Sequence, residues 1–177
     1  MHMNRLQRLW RHLWLDVADT RRAVPNAIAR RLAQRVTASE RRHTGEVRIC
    51  VEAALPWSQA WQARDDRAVR VLGRQRALEW FGRLRIWDTE QNNGVLIYLL
   101  LAEHAIEIVA DRGLTHAVDA TKWQAVVDRL AQRLREGAFE DGLTHALEEV
   151  SALLVEHFPA DADTPNPDEL PDAVVRA

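Results

Sequence analysis

The sequence has few covalent or lipid anchors. Of its 177 residues only Cys50 is a cysteine, so neither an internal disulfide nor a cysteine-based zinc site can form, and a reducing compartment is expected. Long apolar runs are missing as well. The longest, Val95 to Ala102, is far below the ~18–20 residues a bilayer span needs. Arginines interrupt the apolar positions of the first nineteen residues, which excludes a secretory signal of ordinary pattern. These absences lead to the expectation of a cytoplasmic protein without a transmembrane segment, with peripheral contact to an inner membrane left open. A net charge of -2 from 24 Lys+Arg and 26 Asp+Glu argues against a nucleic-acid partner. Lysine is nearly absent: Lys122 is the only one, with arginine at the other cationic positions.

Hydrophobic residues make up 47% and charged residues 28% of the chain, the balance of a globular domain. A chain of this length buries about two-thirds of its unfolded surface, enough for a core without metal or disulfide. Charge is uneven along it. Residues 1–45 hold ten arginines against Asp16, Asp19 and Glu40, whereas the tail from Pro159 holds five acids against Arg176. A basic head and an acidic tail either pair with each other or leave the head to an anionic partner. The division expected is an amphipathic helix over 1–24, an α/β domain over 25–159 and an acidic extended tail over 160–177.

Periodicity gives the elements. Leu6, Leu9, Trp10, Leu13, Trp14 and Val17 recur at helical spacing, with Arg5, Arg8, Arg11 and His12 on or near the other face. A second helix runs from Pro25 through Ile28, Leu32 and Val36 to a stop at Thr44-Gly45. Glu46–Glu52 alternates and is rich in β-branched residues, as a strand is. A helix capped at Asp65-Asp66 is expected to carry Val71, Leu72, Leu78, Phe81 and Leu84 on one face. The polar turn Asp88–Gly94 feeds Val95–Leu101, whose unbroken apolarity suits a strand covered on both faces. Ala102-Glu103-His104 links it to a hairpin partner at Ala105–Ala110, which Asp111-Arg112-Gly113 closes. A capping box at Thr121–Gln124 opens a helix stopped by Gly137, and a last helix ends by Pro159. The fold expected is α/β: a small mixed sheet with a β-α-β-β core, mostly parallel plus one hairpin, flanked by helices on both faces, with two N-terminal and two C-terminal helices.

Hairpin geometry narrows a site. Pairing Leu101 with His104 places Asp111 opposite Gly94, and a parallel first strand brings Glu46 to the same edge. The preceding loop adds Asp88, Glu90, Asn92 and Asn93. Hard oxygen ligands of this kind, Glu46, Asp88, Asn92, Asn93 and Asp111, suit Ca²⁺ or Mg²⁺. The same residues are also good turn and cap formers, and the rim lies at the amino end of the parallel strands, opposite to the usual ligand end. Cys50 has no phosphate-cradling loop and no arginine six residues on, and no P-loop, G-x-G-x-x-G or H-E-x-x-H is present. Hydrolysis would therefore need metal-activated water, with Arg112 holding phosphate. Trp10 and Trp14 opposite arginines suit either packing on the domain or contact with a membrane surface or partner.

Trp87–Tyr98 followed by Glu107–Gly113, together with Glu40, His43-Thr-Gly-Glu46, Trp123, Phe139-Glu-Asp-Gly142, His157-Phe-Pro159 and Glu169-Leu-Pro-Asp172, resembles the TPM domain family over about residues 25–172. The resemblance implies an α/β sandwich. It also implies the roles linked to family members: acid phosphatase activity, calcium or magnesium binding and upkeep of membrane complexes. The resulting expectation is a divalent-cation-binding accessory or adapter domain with an unidentified, membrane-associated protein partner. A metal-dependent acid phosphatase and a peripheral membrane module acting through the first helix are the alternatives.

Overall fold

The computed structural model describes residues 12–161 and 169–177. The elements in chain order are α1 (Val17–Ala23), α2 (Asn26–Glu40), β1 (Val47–Glu52), a short α3 (Trp57–Ala60), α4 (Asp66–Arg83), β2 (Val95–Leu100), β3 (Ala105–Ala110), α5 (Arg112–Ala117), α6 (Ala120–Arg135), α7 (Phe139–His157) and β4 (Val175–Arg176). They form a mixed α/β fold around a four-stranded sheet of order β3-β2-β1-β4. β1 runs parallel to β2 and β4, and β2 and β3 make the antiparallel hairpin. The hairpin register is the expected one, with Val95 opposite Ala110 and Leu100 opposite Ala105. The tail returns to the sheet: Val175 pairs with Cys50, and the Ala177 N–H donates to the Val51 carbonyl at 3.0 Å.

Strand alternation splits the core in two. Val47, Ile49, Val51, Val95, Ile97 and Leu99 pack with Leu32 and Val36 of α2, Val126 and Leu130 of α6, and Leu143, Leu147 and Val150 of α7. On the other face Cys50, Leu96, Tyr98, Leu100 and Val109 meet Val69, Leu72, Ala77 and Phe81 of α4. With both faces covered, all six residues of β1 are buried, including Arg48 and Glu52.

Several local expectations are corrected. The first helix does not run continuously through Val17. The chain leaves helix at Leu15-Asp16, and Asp16 caps α1 in a capping box with Asp19. His12, expected on the outer face, is buried, while Leu13, Trp14 and Val17 are exposed. A hydrogen-bonded imidazole is better satisfied inside than an apolar side chain is harmed outside. Leu6, Leu9 and Trp10 lie outside the described residues. α4 is turned from the expected face: Val71 and Leu78 are exposed, and Arg76 lies on the buried stripe with Val69 and Leu72. The cap of α6 is Asp119, whose side chain accepts from the Thr121 N–H, not Thr121 itself. Asp111 does not end in a turn but caps α5.

Candidate functional site

Three strand ends meet at Gly94. The Val95 N–H donates to the Glu46 carbonyl at 2.8 Å, and the Asp111 N–H donates to the Gly94 carbonyl at 2.9 Å. A side chain at Gly94 would collide with the backbone of the segment after α4, because a Cβ there would lie 2.1 Å from the Ile86 carbonyl oxygen. Laterally paired residues share a sheet face, so the Ile86 backbone lies over Gly94 between the Glu46 and Asp111 positions.

The candidate residues take different directions around this point. Glu46 is buried, and its Oε1 accepts the Glu169 N–H at 3.0 Å. Asp88 is exposed and pairs with Arg85. Asn92 sits in the left-handed region at φ 53, which Asn tolerates better than most residues. Its Oδ1 accepts from Arg112 Nε at 2.9 Å and Nη2 at 2.7 Å. The Gly113 N–H donates to the Asn92 carbonyl at 2.9 Å, in an approach so close that a Cβ on Gly113 would lie 2.7 Å from that oxygen. Asn93 is fully buried; its Nδ2 donates to Thr44 Oγ1 at 3.1 Å, and its N–H donates to Thr89 Oγ1 at 3.1 Å. Asp111 Oδ1 accepts the Arg112 N–H at 2.7 Å.

Asn92, Asp111 and Arg112 are thus brought together, and Asn93 adjoins them along the chain. Glu46 and Asp88 point to other partners. Asn93 Oδ1 and Asp111 Oδ2 are buried acceptor oxygens that receive no hydrogen bond among the described residues. Among the described residues no group of three or more His, Cys, Asp or Glu side chains is arranged to hold a metal ion. A cation here would therefore draw on one carboxylate, amide oxygens and backbone carbonyls, a donor set that hard cations accept. Burial pushes the Cys50 thiol well above its ordinary value, the reverse of an activated nucleophile. Trp14 is 75% exposed, and Trp10 lies outside the described residues.

Two buried polar clusters escaped the sequence reading. At the amino end of β1, Glu40 Oε1 accepts the Val47 N–H at 2.9 Å beside Glu46, Arg48 and Asp172, and Thr37 donates to Asp172. Burial, reinforced by the neighbouring carboxylates of Glu46 and Asp172, pushes Glu40 up to about 9 against the opposing backbone bond. At the carboxyl end, Glu52 receives Arg76 Nε at 2.9 Å and Nη2 at 2.5 Å, Tyr98 Oη at 2.6 Å and Trp80 Nε1 at 2.9 Å. Burial raises the Tyr98 phenol, and the Glu52 carboxylate adds to that shift. The available signal was charged residues on a strand flanked by turn-rich loops, with Arg76 in step with Val69 and Leu72 at helical spacing.

The sequence matches the TPM domain over residues 17–153. No curated protein matches. Among solved structures, the NMR structure of the BA42 protein from the psychrophilic bacterium Bizionia argentinensis is similar in fold, with a TM-score of 0.72 and 23% identity over 87% of this chain and 95% of that one. No helix among the described residues is long and apolar enough to cross a membrane.

Proposed function

The chain belongs to the TPM domain family, and from that premise we propose that it is a non-catalytic accessory domain that holds a hard divalent cation, Ca²⁺ or Mg²⁺, at the Gly94 rim. The observation that carries this reading is the pair of buried acceptors, Asn93 Oδ1 and Asp111 Oδ2, left without a hydrogen bond. A buried acceptor without a donor costs about 1–3 kcal/mol, and a cation would offset that cost. The family's link to membrane-complex upkeep makes the partner a membrane-associated protein. The acid-phosphatase alternative has less support: Arg112, its phosphate holder, has its guanidinium engaged by Asn92, and the lone thiol is buried. The peripheral-membrane alternative keeps one supporting observation, the exposure of Trp14.

Thermal melts test the proposal. Millimolar Ca²⁺ or Mg²⁺ should raise Tm over the chelator-treated protein, the stabilisation being RT ln(1 + [L]/Kd) or about 2.7 kcal/mol at a hundredfold excess over Kd. Asp111→Asn should lose most of that rise while staying as stable without metal, because Asn also caps helices well. A parent Tm indifferent to both ions ends the cation reading. Metal-dependent phosphate-ester turnover that vanishes in Asp111→Asn would replace it with the hydrolase.

A further inference from the structure

Among the described residues β3 is an edge strand, with no strand on the side away from β2. Its pairing decides which groups face outward. The Asp111 N–H bonds to Gly94, and bonded and non-bonded pairs alternate along an antiparallel ladder. Asp111, Val109, Glu107 and Ala105 therefore bond to β2, while the N–H and C=O groups of Ile106, Ile108 and Ala110 point away from it. Two of the outward carbonyls already have donors: Arg74 Nη1 bonds Ile108 O at 2.8 Å, and Thr115 Oγ1 bonds Ala110 O at 3.1 Å. The three outward N–H groups meet no acceptor among the described residues.

This edge opens into a groove of about 500 Å³, walled by Arg70 and Arg74 of α4 on one side and by Val118, Trp123 and Val127 on the other. Trp123 Nε1 is buried and meets no acceptor among the described residues. Arg70 is exposed, with no ion-pair partner among the described residues. The groove thus offers backbone, indole and guanidinium donors beside an apolar wall.

We propose that an extended peptide of a partner protein adds to β3 along this groove, and that its side chains alternate acidic and apolar. Strand addition supplies carbonyls to the three open N–H groups. The Ile108 carbonyl has a second lone pair, so Arg74 can stay in place. Successive side chains of the added strand point to opposite sheet faces. One set meets Arg70 and Arg74 and is acidic; the other meets Val118, Trp123 and Val127 and is apolar. Arg74 is partly neutralised by Glu107 at 3.5 Å, which leaves Arg70 as the main determinant of charge. The proposal rests on the accessory-domain reading and names the chemistry of the partner.

The test is fluorescence anisotropy of a labelled peptide alternating Glu and Val, titrated with the full chain, against a peptide with Lys in place of Glu. The Glu peptide should saturate, and Arg70→Glu should weaken it at least about tenfold, or ~1.4 kcal/mol. Ala110→Pro should do the same, since it deletes one outward N–H without touching the β2 ladder, and proline is tolerated on an edge strand. Amide signals of Ile106, Ile108 and Ala110 and the Trp123 indole signal should shift in NMR spectra of the complex. Circular dichroism melts confirm that both variants fold. Equal binding of the Lys peptide, indifference to both variants, edge-to-edge dimers in sedimentation, or displacement of the peptide by phosphatidylglycerol vesicles would each overturn the proposal. The cation reading stands or falls separately: a peptide that fails to bind while Ca²⁺ still raises Tm removes the groove and leaves the rim.

Discussion

Replacing Arg76 with methionine should expose the energetics of the carboxyl end of the sheet. Glu52 is 4% exposed and Arg76 is 5% exposed, so neither charge has water to fall back on. Removing the guanidinium leaves the Glu52 carboxylate with only the Tyr98 hydroxyl and the Trp80 indole N–H as donors. Breaking one side of a buried ion pair costs about 3–5 kcal/mol, which at about 2–4 °C per kcal/mol for a chain of this size lowers Tm by about 6–20 °C. The penalty lies in the stranded charge, so Glu52→Gln in the same chain should recover much of it, with a coupling energy of about 2 kcal/mol or more between the sites. Urea unfolding at 25 °C of the parent, the two single variants and the double variant measures the cycle. A loss below about 1 kcal/mol, or one that is the same whether position 52 carries the acid or the amide, would refute the reasoning.

Three further outcomes follow from other positions. Glu40 is raised from 4.5 to about 9, so its contribution is fully present below 4.5 and is lost as pH rises towards 9; Glu40→Gln should flatten that slope and be the more stable protein at pH 8.5 in denaturant titrations. Gly94→Ala places a Cβ 2.1 Å from the Ile86 carbonyl oxygen, a backbone clash that should cost at least about 1–3 kcal/mol in the same assay. His12 bridges the N-terminal segment to the sheet, its Nε2 at 2.8 Å from Glu103 and its Nδ1 accepting the Leu55 N–H at 3.1 Å. His12→Leu should cost about 1–3 kcal/mol and speed amide exchange at Leu55.

The strands and their register were legible because short-range rules act on them. A short link, Leu101 to His104, leaves the hairpin little freedom, and one slip would turn Ile106 and Ile108 away from the core. The boundaries of α2, α4, α6 and α7 were legible to within a turn, whereas α1, α3 and α5 were not anticipated, and the buried faces of the helices were less legible than their ends. On α4 the apolar positions Val71 and Leu78 suggested one face, while the buried face carries Arg76. Periodicity measures side-chain polarity and is blind to a partner such as Glu52, which arrives from a strand twenty-four residues earlier.

The candidate site was legible only as an address. Strand ends and turn residues place Glu46, Gly94 and Asp111 side by side, and they are neighbours. Side-chain direction at a strand end depends instead on what covers the edge, here the Ile86 carbonyl over Gly94 and the returning tail. Glu46 turns to the Glu169 N–H and Thr37 donates to Asp172, both on the segment expected to be an acidic extended tail. Several carboxylates buried around a single guanidinium, Arg48, favour the neutral form of one of them, and burial pushes Glu40 up to about 9. The tail, the proton and the first strand therefore form one arrangement. Its chemistry belongs to tertiary packing, which no local pattern in the 177 residues encodes.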